Sequence, residues 1–188
     1  MNYSIELMIK EHDDINRMNL VMRNICLGIM EGAEVPTEDF RHIIDFVRNY
    51  ADKHHHGKEE RYLFPKMVER MGAIAENLVT HGMLVEHDLG RGHIRALETA
   101  LNEYEKRETP ELRLDIITEA MGYAHLLQLH TEKENSVVYP FAERSLSAED
   151  FDYVNEGSKR FESEQTEKGV QQKYLTLLEN MEEKYRRA

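Results

Sequence analysis

The chain has almost no cysteine and few residues that interrupt helices. Its 188 residues include one cysteine, Cys26, together with four prolines and ten glycines. A single cysteine excludes an internal disulfide, a Cys-x-x-Cys redox pair and a zinc site built from several thiolates. Because proline and glycine are scarce, long stretches lack a helix breaker, which favours long helices.

Long apolar runs and clusters of basic residues are also missing. No segment approaches the roughly 18–20 apolar residues that a membrane span requires. The start, MNYSIELMIKEHDD, has no basic leader before an apolar stretch, so we expect no signal peptide. The formal net charge is −12, so we expect neither nucleic acid nor a membrane as a partner. These observations predict a single cytoplasmic domain.

Apolar residues recur at steps of three and four, and no long stretch alternates as a strand does. The predicted helices span 3–30, 37 to about 64, roughly 74–106 and 110 to about 144. Thr37 is a predicted N-cap, and Thr109 followed by Pro110 is typical of a helix start. Four long helices joined by short turns predict an all-α fold, an antiparallel up-down-up-down four-helix bundle.

A more polar helical segment follows the four predicted helices. Ser147 is its predicted cap, and interruptions are expected near Gly157 and Gly169. We therefore predict two regions: 1–145 forms the bundle and carries the metal site, and 146–188 is a C-terminal helical extension packed on the same domain.

One offset of 75 residues, as from Glu11 to Glu86, relates several features of the two halves. The related segments are Glu11-His12-Asp13 with Glu86-His87-Asp88, His55-x-x-x-Glu59 with His130-x-x-x-Glu134, and Leu63-Phe64-Pro65 with Val138-Tyr139-Pro140. A repeat of this kind predicts two helical hairpins that carry the same pattern.

The repeat also selects one residue from the triplet His54-His55-His56. Only His55 and Glu59 have counterparts in the second half, although His56 and Glu60 have the same spacing. His54 and His56 are therefore expected to point sideways or outward.

The repeated histidines are expected at one level of the bundle. In an antiparallel hairpin, residues equally far from the turn lie at the same height. Residues 12 and 55 are equally far from the turn at 31–36, and residues 87 and 130 from the turn beside Thr109. Each repeated glutamate follows its histidine by about one helical turn and should point inward with it.

Four imidazoles and two carboxylates in a dry core would be costly unless cations compensate them. The predicted metal ligands are His12, His55, Glu59, His87, His130 and Glu134. Mixed imidazole and carboxylate ligands suit iron, manganese or zinc better than magnesium or calcium. Six side chains on two such ions would also leave coordination positions for a bridging oxygen and an exogenous ligand. His42, His81, His93 and His125 are expected to be ordinary packing residues, as are Tyr62 and Tyr139.

These residues resemble the hemerythrin-like (HHE) cation-binding domains over about residues 5–145. The resemblance rests on His12, on His55-x-x-x-Glu59 followed by LFP, on His87, and on His130-x-x-x-Glu134 followed by VYP. It implies a four-helix bundle with a non-haem di-iron centre, and it carries over the same six ligands. We therefore predict two iron ions with an oxo or hydroxo bridge, with manganese or zinc as alternatives.

Two departures from the oxygen-carrying members bear on function. Those members have a further metal histidine four residues before His87, where this chain has Met83, and they end with a histidine and an aspartate five residues apart. The chain is more similar to the four-histidine, two-carboxylate type, which includes proteins implicated in iron–sulfur cluster repair and in responses to nitric oxide or oxygen. Two histidines per iron would predict oxidation by oxygen and not reversible carriage, unless His56 or His81 supplies a further ligand.

Several functions remain open from the sequence. The first is a di-iron protein that binds or senses oxygen, nitric oxide or peroxide. The alternatives are a peroxidase-like or nitric-oxide-reducing enzyme and an iron donor in cluster repair. A ferritin-like oxidase or store is disfavoured because the sequence contains no Glu-x-x-His. A bundle without metal is the structural alternative.

Overall fold

A computed structural model describes residues 2–187, which form six helical rods and no strand. The α-helices are α1 (Tyr3–Met30), α2 (Thr37–Phe46), α3 (Phe64–Met71), α4 (Ala73–Leu78), α5 (Leu84–Tyr104), α6 (Pro110–Lys133), α7 (Tyr139–Ser145), α8 (Ala148–Glu167) and α9 (Val170–Lys184). π-Helical segments join some of these helices into continuous rods. Val47–His56 and Glu59–Leu63 lie between α2 and α3, Val79–Met83 lies between α4 and α5, and Glu134–Val138 lies between α6 and α7. The predicted all-α fold class is confirmed.

Contacts between neighbouring rods have the order expected of antiparallel helices. Between α5 and α6, Glu86 pairs with His130 and His93 pairs with Glu119, so residue numbers rise on one helix as they fall on the other. Between the rod 37–71 and α5 with its C-cap residue Glu105, the corresponding pairs are Arg41–Glu105 and Arg48–Glu98. The predicted antiparallel bundle is therefore present.

Two helix starts have the predicted caps. The Thr109 side chain accepts a hydrogen bond from the Leu112 amide, and Pro110 occupies the first turn of α6. Ser147 and Asp150 form a reciprocal capping box at the start of α8. Each cap satisfies backbone N–H groups that have no partner within the helix.

Three local predictions were wrong. Pro36, not Thr37, is the N-cap of α2. The second rod continues past Pro65 to Met71, and Pro65 lies where the π-helical segment Glu59–Leu63 changes into α3. Helix α8 runs through Gly157, whereas Gly169 does break the helix with a φ of 70°.

Two apolar clusters lie above and below a polar layer. On α1, one cluster ends at Met8 and the other begins at Ile15, with His12 between them. On the second rod, Ala51 and Leu63 bracket the layer in the same way. Burying one large apolar side chain stabilises the fold by about 1.5–3 kcal/mol. The two clusters therefore hold the helices rigidly on both sides of the layer.

The C-terminal helices lie against the bundle. Helix α8 packs on Glu59–Leu63, and a Cβ on Gly157 would lie 2.5 Å from Tyr62 Cδ1, so glycine allows this close approach. Helix α9 contacts α1 and α2. The division into 1–145 and 146–188 stays a prediction, and its first and last residues, Met1 and Ala188, lie outside the described residues. Within 2–187, no helix has both the length and the apolar character needed to cross a bilayer.

Candidate metal centre

The polar layer contains two adjacent groups of side chains that could hold a metal ion. Within each group, the possible ligand atoms lie within 4.8 Å of one another. Site A comprises His12, His55, Glu59 and Glu134. Site B comprises His56, His87 and His130. All six predicted ligands are brought together here, and His56 is an additional member.

The two glutamates connect the two sites. Glu59 Oε2 lies 3.7 Å from His55 Nε2 in site A and 3.6 Å from His87 Nε2 in site B. Glu134 Oε2 also approaches one histidine of each site, at 3.1 and 3.3 Å. Each carboxylate therefore stands between the two groups, where it could bridge two cations.

Buried atoms without partners indicate that the layer fits metal ions. The unpaired atoms are Nε2 of His56, His87 and His130, Oε2 of Glu59, and both carboxylate oxygens of Glu134. No residue of either site is more than 5% exposed. Leaving a buried donor or acceptor unpaired costs about 1–3 kcal/mol each. Two cations would satisfy all of these atoms at once.

The electrostatics of the layer agree with this assignment. Burial and the neighbouring Glu134 carboxylate raise the pKa of Glu59 well above its ordinary value, so a cation at this place would replace a proton. Burial and His12 lower the pKa of His55 to about 4, and burial and His87 lower the pKa of His56. These imidazoles are therefore neutral at physiological pH, as metal ligands must be.

Each histidine of the two sites is oriented from behind by an acceptor. The Nδ1 pairs are His12 with Asn135 Oδ1 at 2.8 Å, His55 with Glu11 Oε2 at 2.9 Å, His56 with Asp52 Oδ1 at 3.3 Å, His87 with Glu60 Oε1 at 2.7 Å, and His130 with Glu86 Oε2 at 2.9 Å. An acceptor at Nδ1 keeps the proton there and leaves the Nε2 lone pair for a metal.

This outer layer follows the same 75-residue repeat as the ligands, which sequence analysis missed. Glu11 and Glu86 are repeat partners and accept from repeat-related histidines. Lys58 and Lys133 are also repeat partners, and each donates to one of these glutamates. The shared offset of Glu11 and Glu86 is visible in the sequence. Only the fold shows that these glutamates accept hydrogen bonds from histidines of the two sites.

The expectation that His56 points sideways or outward was wrong. His56 lies in a π-helical segment, Val47–His56, and is 5% exposed. A π-turn contains more residues than an α-turn, so consecutive side chains are separated by a smaller angle and both His55 and His56 face the layer. The repeat could not indicate this, because Thr131 occupies the equivalent position in the second half.

The remaining histidines lie elsewhere. His54 is 1% exposed, but its Nε2 faces Glu11 and Glu162, away from both sites. His81 is exposed. Met83, which stands where the oxygen carriers have a histidine, is buried in the apolar cluster. His56 is therefore the residue that adds a fifth imidazole.

Tyr139 also differs from the residue at the equivalent position of the other half of the repeat. Its hydroxyl donates to Glu59 Oε1 at 2.6 Å and lies 3.3 Å from His12 Nε2. Its repeat partner, Phe64, lies beside His87 and has no hydroxyl. Tyr139 was expected to be only a packing residue, but it contacts two members of site A. Tyr62, by contrast, packs against α8.

A cleft leads from the surface to site B. It has a volume of about 260 Å³ and lies between Val47–His56, α5 and α6. Its lining is mainly apolar, and His56 and His87 are among the lining residues. Tyr123 also lines it, and the buried Tyr123 hydroxyl has no hydrogen-bond partner. The cleft therefore reaches two histidines of site B.

Comparison with known proteins agrees with the site. Residues 3–142 match the sequence model described as Hemerythrin HHE cation binding domain. Similar curated proteins include the uncharacterized protein Rv1995 of Mycobacterium tuberculosis (strain ATCC 25618 / H37Rv) and the uncharacterized protein Mb2018 of Mycobacterium bovis (strain ATCC BAA-935 / AF2122/97). Each is 24% identical over 149 residues, which is 78% of this chain and 56% of the relative. The chain therefore spans about half the length of these relatives.

Proposed function

We propose, from the premise that this chain belongs to the hemerythrin HHE cation-binding domain family, that sites A and B hold two iron ions and bind a small molecule. The ligand class is oxygen, nitric oxide or peroxide. Iron would supply redox activity and a coordination position for this molecule. The protein would supply the ligands, the hydrogen bonds and the exclusion of bulk water.

The unequal number of histidines in the two sites carries the proposal. Site A offers two imidazoles, site B offers three, and both share the carboxylates of Glu59 and Glu134. An ion at site B would be held by one more protein ligand than an ion at site A, so only site A would keep a position for an exogenous ligand. The exogenous ligand is therefore expected at site A only.

Tyr139 is placed to stabilise a ligand at site A. Burial and the carboxylates of Glu134 and Glu59 raise the pKa of Tyr139 well above its ordinary value, so its hydroxyl keeps its proton. A buried phenol can donate a strong hydrogen bond to a charged or polarised acceptor. The apolar side chains around it, including Met8 and Val138, limit access of bulk water.

The fifth imidazole changes the expectation about oxygen. With four histidine ligands, both iron ions were predicted to keep an open coordination position. Oxygen was therefore predicted to oxidise the centre to the diferric state. With His56 in site B, only site A would be open, which favours a ligand complex that persists long enough to be read as a signal or released. We therefore favour ligand binding or sensing over catalytic turnover.

An enzymatic role is the second candidate, and Tyr139 is the observation that favours it. A phenol that donates a hydrogen bond to Glu59 over 2.6 Å could orient peroxide or nitric oxide and stabilise the charge that develops as either is reduced. Such a role would require repeated turnover with an external reductant. Binding alone would stop after one ligand per chain.

The test begins with anaerobic iron loading and metal analysis, for which we expect two ions per chain. The reduced protein is then titrated with nitric oxide, and separately with oxygen followed by removal of the gas, while optical spectra are recorded. One ligand per dinuclear centre would support the proposal. Two ligands per centre, or no spectral change, would overturn it, and sustained consumption of peroxide with a reductant would favour the enzyme.

A further inference from the structure

A buried lysine lies directly behind site A. Lys58 is 1% exposed, and its ammonium contacts the carboxylates of Glu11 and Glu162 and lies 3.2 Å from His54 Nε2. Glu11, His54 and Glu162 have the residue types and spacing of a metal site, but the ammonium of Lys58 lies among them. A buried cation of this kind is stable only when anionic partners surround it.

The internal repeat provides a comparison within the same molecule. On the site B side, Lys133 contacts Glu86 as Lys58 contacts Glu11. The Lys133 side chain is 41% exposed and that of Glu86 is 20% exposed, against 0% for Lys58 and 5% for Glu11. On the site A side, Glu162 and Phe161 of α8 lie against the Lys58 ammonium.

Glu162 is the residue through which α8 reaches this network. It lies outside the family match at residues 3–142, and the described contacts of Lys133 include no second carboxylate. Phe161, next to it, packs on the His54 ring with centroids 5.7 Å apart. Together with the close approach at Gly157, this contact holds Glu162 at a defined position over Lys58.

We propose that Glu162 is a positioning residue for the metal centre, which acts through Lys58 and Glu11 on the ligand His55. Helix α8 would then influence metal binding at site A in addition to packing beside it. This inference rests on the proposed dinuclear centre.

The physical chain has three links. Glu11 accepts from His55 Nδ1 through Oε2 at 2.9 Å, and its Oε1 faces Lys58. When Glu162 shares the ammonium charge, Lys58 draws less charge away from Glu11, and Glu11 remains a stronger acceptor for His55. A stronger acceptor makes His55 a better metal ligand and holds its ring in place.

Glu11 is suited to this role because it stays ionised. Burial opposes ionisation, but Lys58 and the hydrogen bonds from His54 and His55 lower the pKa of Glu11 well below its ordinary value. The carboxylate therefore transmits changes in its surroundings as changes in charge distribution and orientation, without a change of protonation.

The experiment compares Glu162→Gln with Glu164→Gln in the full chain. Both changes remove one carboxylate charge from α8, but Glu164 is exposed and outside the network. Proteins loaded anaerobically with ferrous iron are mixed with a colorimetric chelator, and the release of each ion is followed. We expect Glu162→Gln to accelerate release of one of the two ions by about tenfold, as loss of an outer partner typically does, and Glu164→Gln to match the wild type.

A double variant distinguishes positioning from simple docking of α8. If Glu162 acts through Glu11, the variant Glu11→Gln/Glu162→Gln should release iron no faster than Glu11→Gln alone. Because Glu162→Gln also removes a partner of the buried Lys58, release is compared at a temperature at which circular dichroism shows that both variants are fully folded without metal. Wild-type release kinetics, equal acceleration of both ions or additive rates would each overturn the inference.

The outcomes also separate this inference from the proposed function. A wild-type protein that holds fewer than two ions would overturn both. Two ions in the wild type, with identical release from Glu162→Gln, would overturn only the role of Glu162.

Discussion

Tyr139 donates a hydrogen bond to Glu59 over 2.6 Å, and these residues come from the two different halves of the internal repeat. The contact crosses site A and has no counterpart at site B, because Phe64 replaces the phenol there. Sites A and B therefore differ chemically, although both are formed by the same sequence repeat. Single substitutions on either side of the layer can therefore test the two sites separately.

Tyr139→Phe should retain both ions but bind the exogenous ligand more weakly. The variant keeps the ring and removes only the hydroxyl, and a hydrogen bond to a charged group contributes about 1.5–3 kcal/mol. We expect ligand affinity to fall by roughly tenfold or more, measured by optical titration of the reduced protein with nitric oxide. Tyr62→Phe is the matched control, since Tyr62 packs on α8, and equal affinities in all three proteins would contradict the role of Tyr139.

The three consecutive histidines should respond differently to alanine. His55→Ala should lose the ion of site A, His56→Ala the ion of site B, and His54→Ala should retain both, because Nε2 of His54 faces Glu11 and Glu162. Metal analysis after gel filtration gives the stoichiometry. The exposed His81 provides the control as His81→Ala. Full metal content in His56→Ala would remove His56 from the ligand set.

In the metal-free protein, the contribution of His55 to stability should be lost as pH falls from about 6.5 to about 4. The folded pKa of His55 is lowered from 6.5 to about 4, so the unfolded chain binds more protons in this window. Stability from this group is therefore complete above the unfolded pKa and is lost as pH falls toward the folded pKa. Urea unfolding at a series of pH values measures the effect.

A His55→Gln variant is the control for this pH dependence. It removes the titrating group, so its free energy of unfolding should vary less with pH in the same window. Identical pH profiles for the two metal-free proteins would show that His55 is not held neutral by burial.

Gly90→Val should slow ligand binding without loss of metal. A Cβ at Gly90 would lie 3.3 Å from Leu127 Cδ2 and 3.6 Å from Tyr123 Cε2, inside the cleft that leads to His56. Gly92→Val is the control, because nothing lies within 4 Å of a Cβ there. Stopped-flow mixing with nitric oxide should show a several-fold slower association only for Gly90→Val. Equal rates would mean that ligands reach site A by another path.

The stability of both glycine variants should be measured with their kinetics. Valine replaces glycine in the same helix α5 in each case, so differences in helix propensity largely cancel. A selective change in association rate, at equal metal content, would therefore report on the cleft.

The helices and the repeated ligands could be predicted from sequence pattern alone. Apolar periodicity reports which face of a helix is buried, and the 75-residue offset marks side chains that share a level of the bundle. These two signals select His12, His55, Glu59, His87, His130 and Glu134, and the fold brings all six together. Their role as ligands stays a prediction until metal is measured.

The inequality of the two sites depends on how the helices pack. His56 enters site B because the backbone widens into a π-turn, a local departure from the regular helical period. Glu162 reaches Lys58 because α8 folds back over the second rod, across 104 positions of sequence. Periodicity reports the buried face of a helix but not which distant helix will cover it. For that reason the ligand pattern could be predicted from the sequence, whereas the partners that orient and distinguish the two sites emerged only when the helices were packed together.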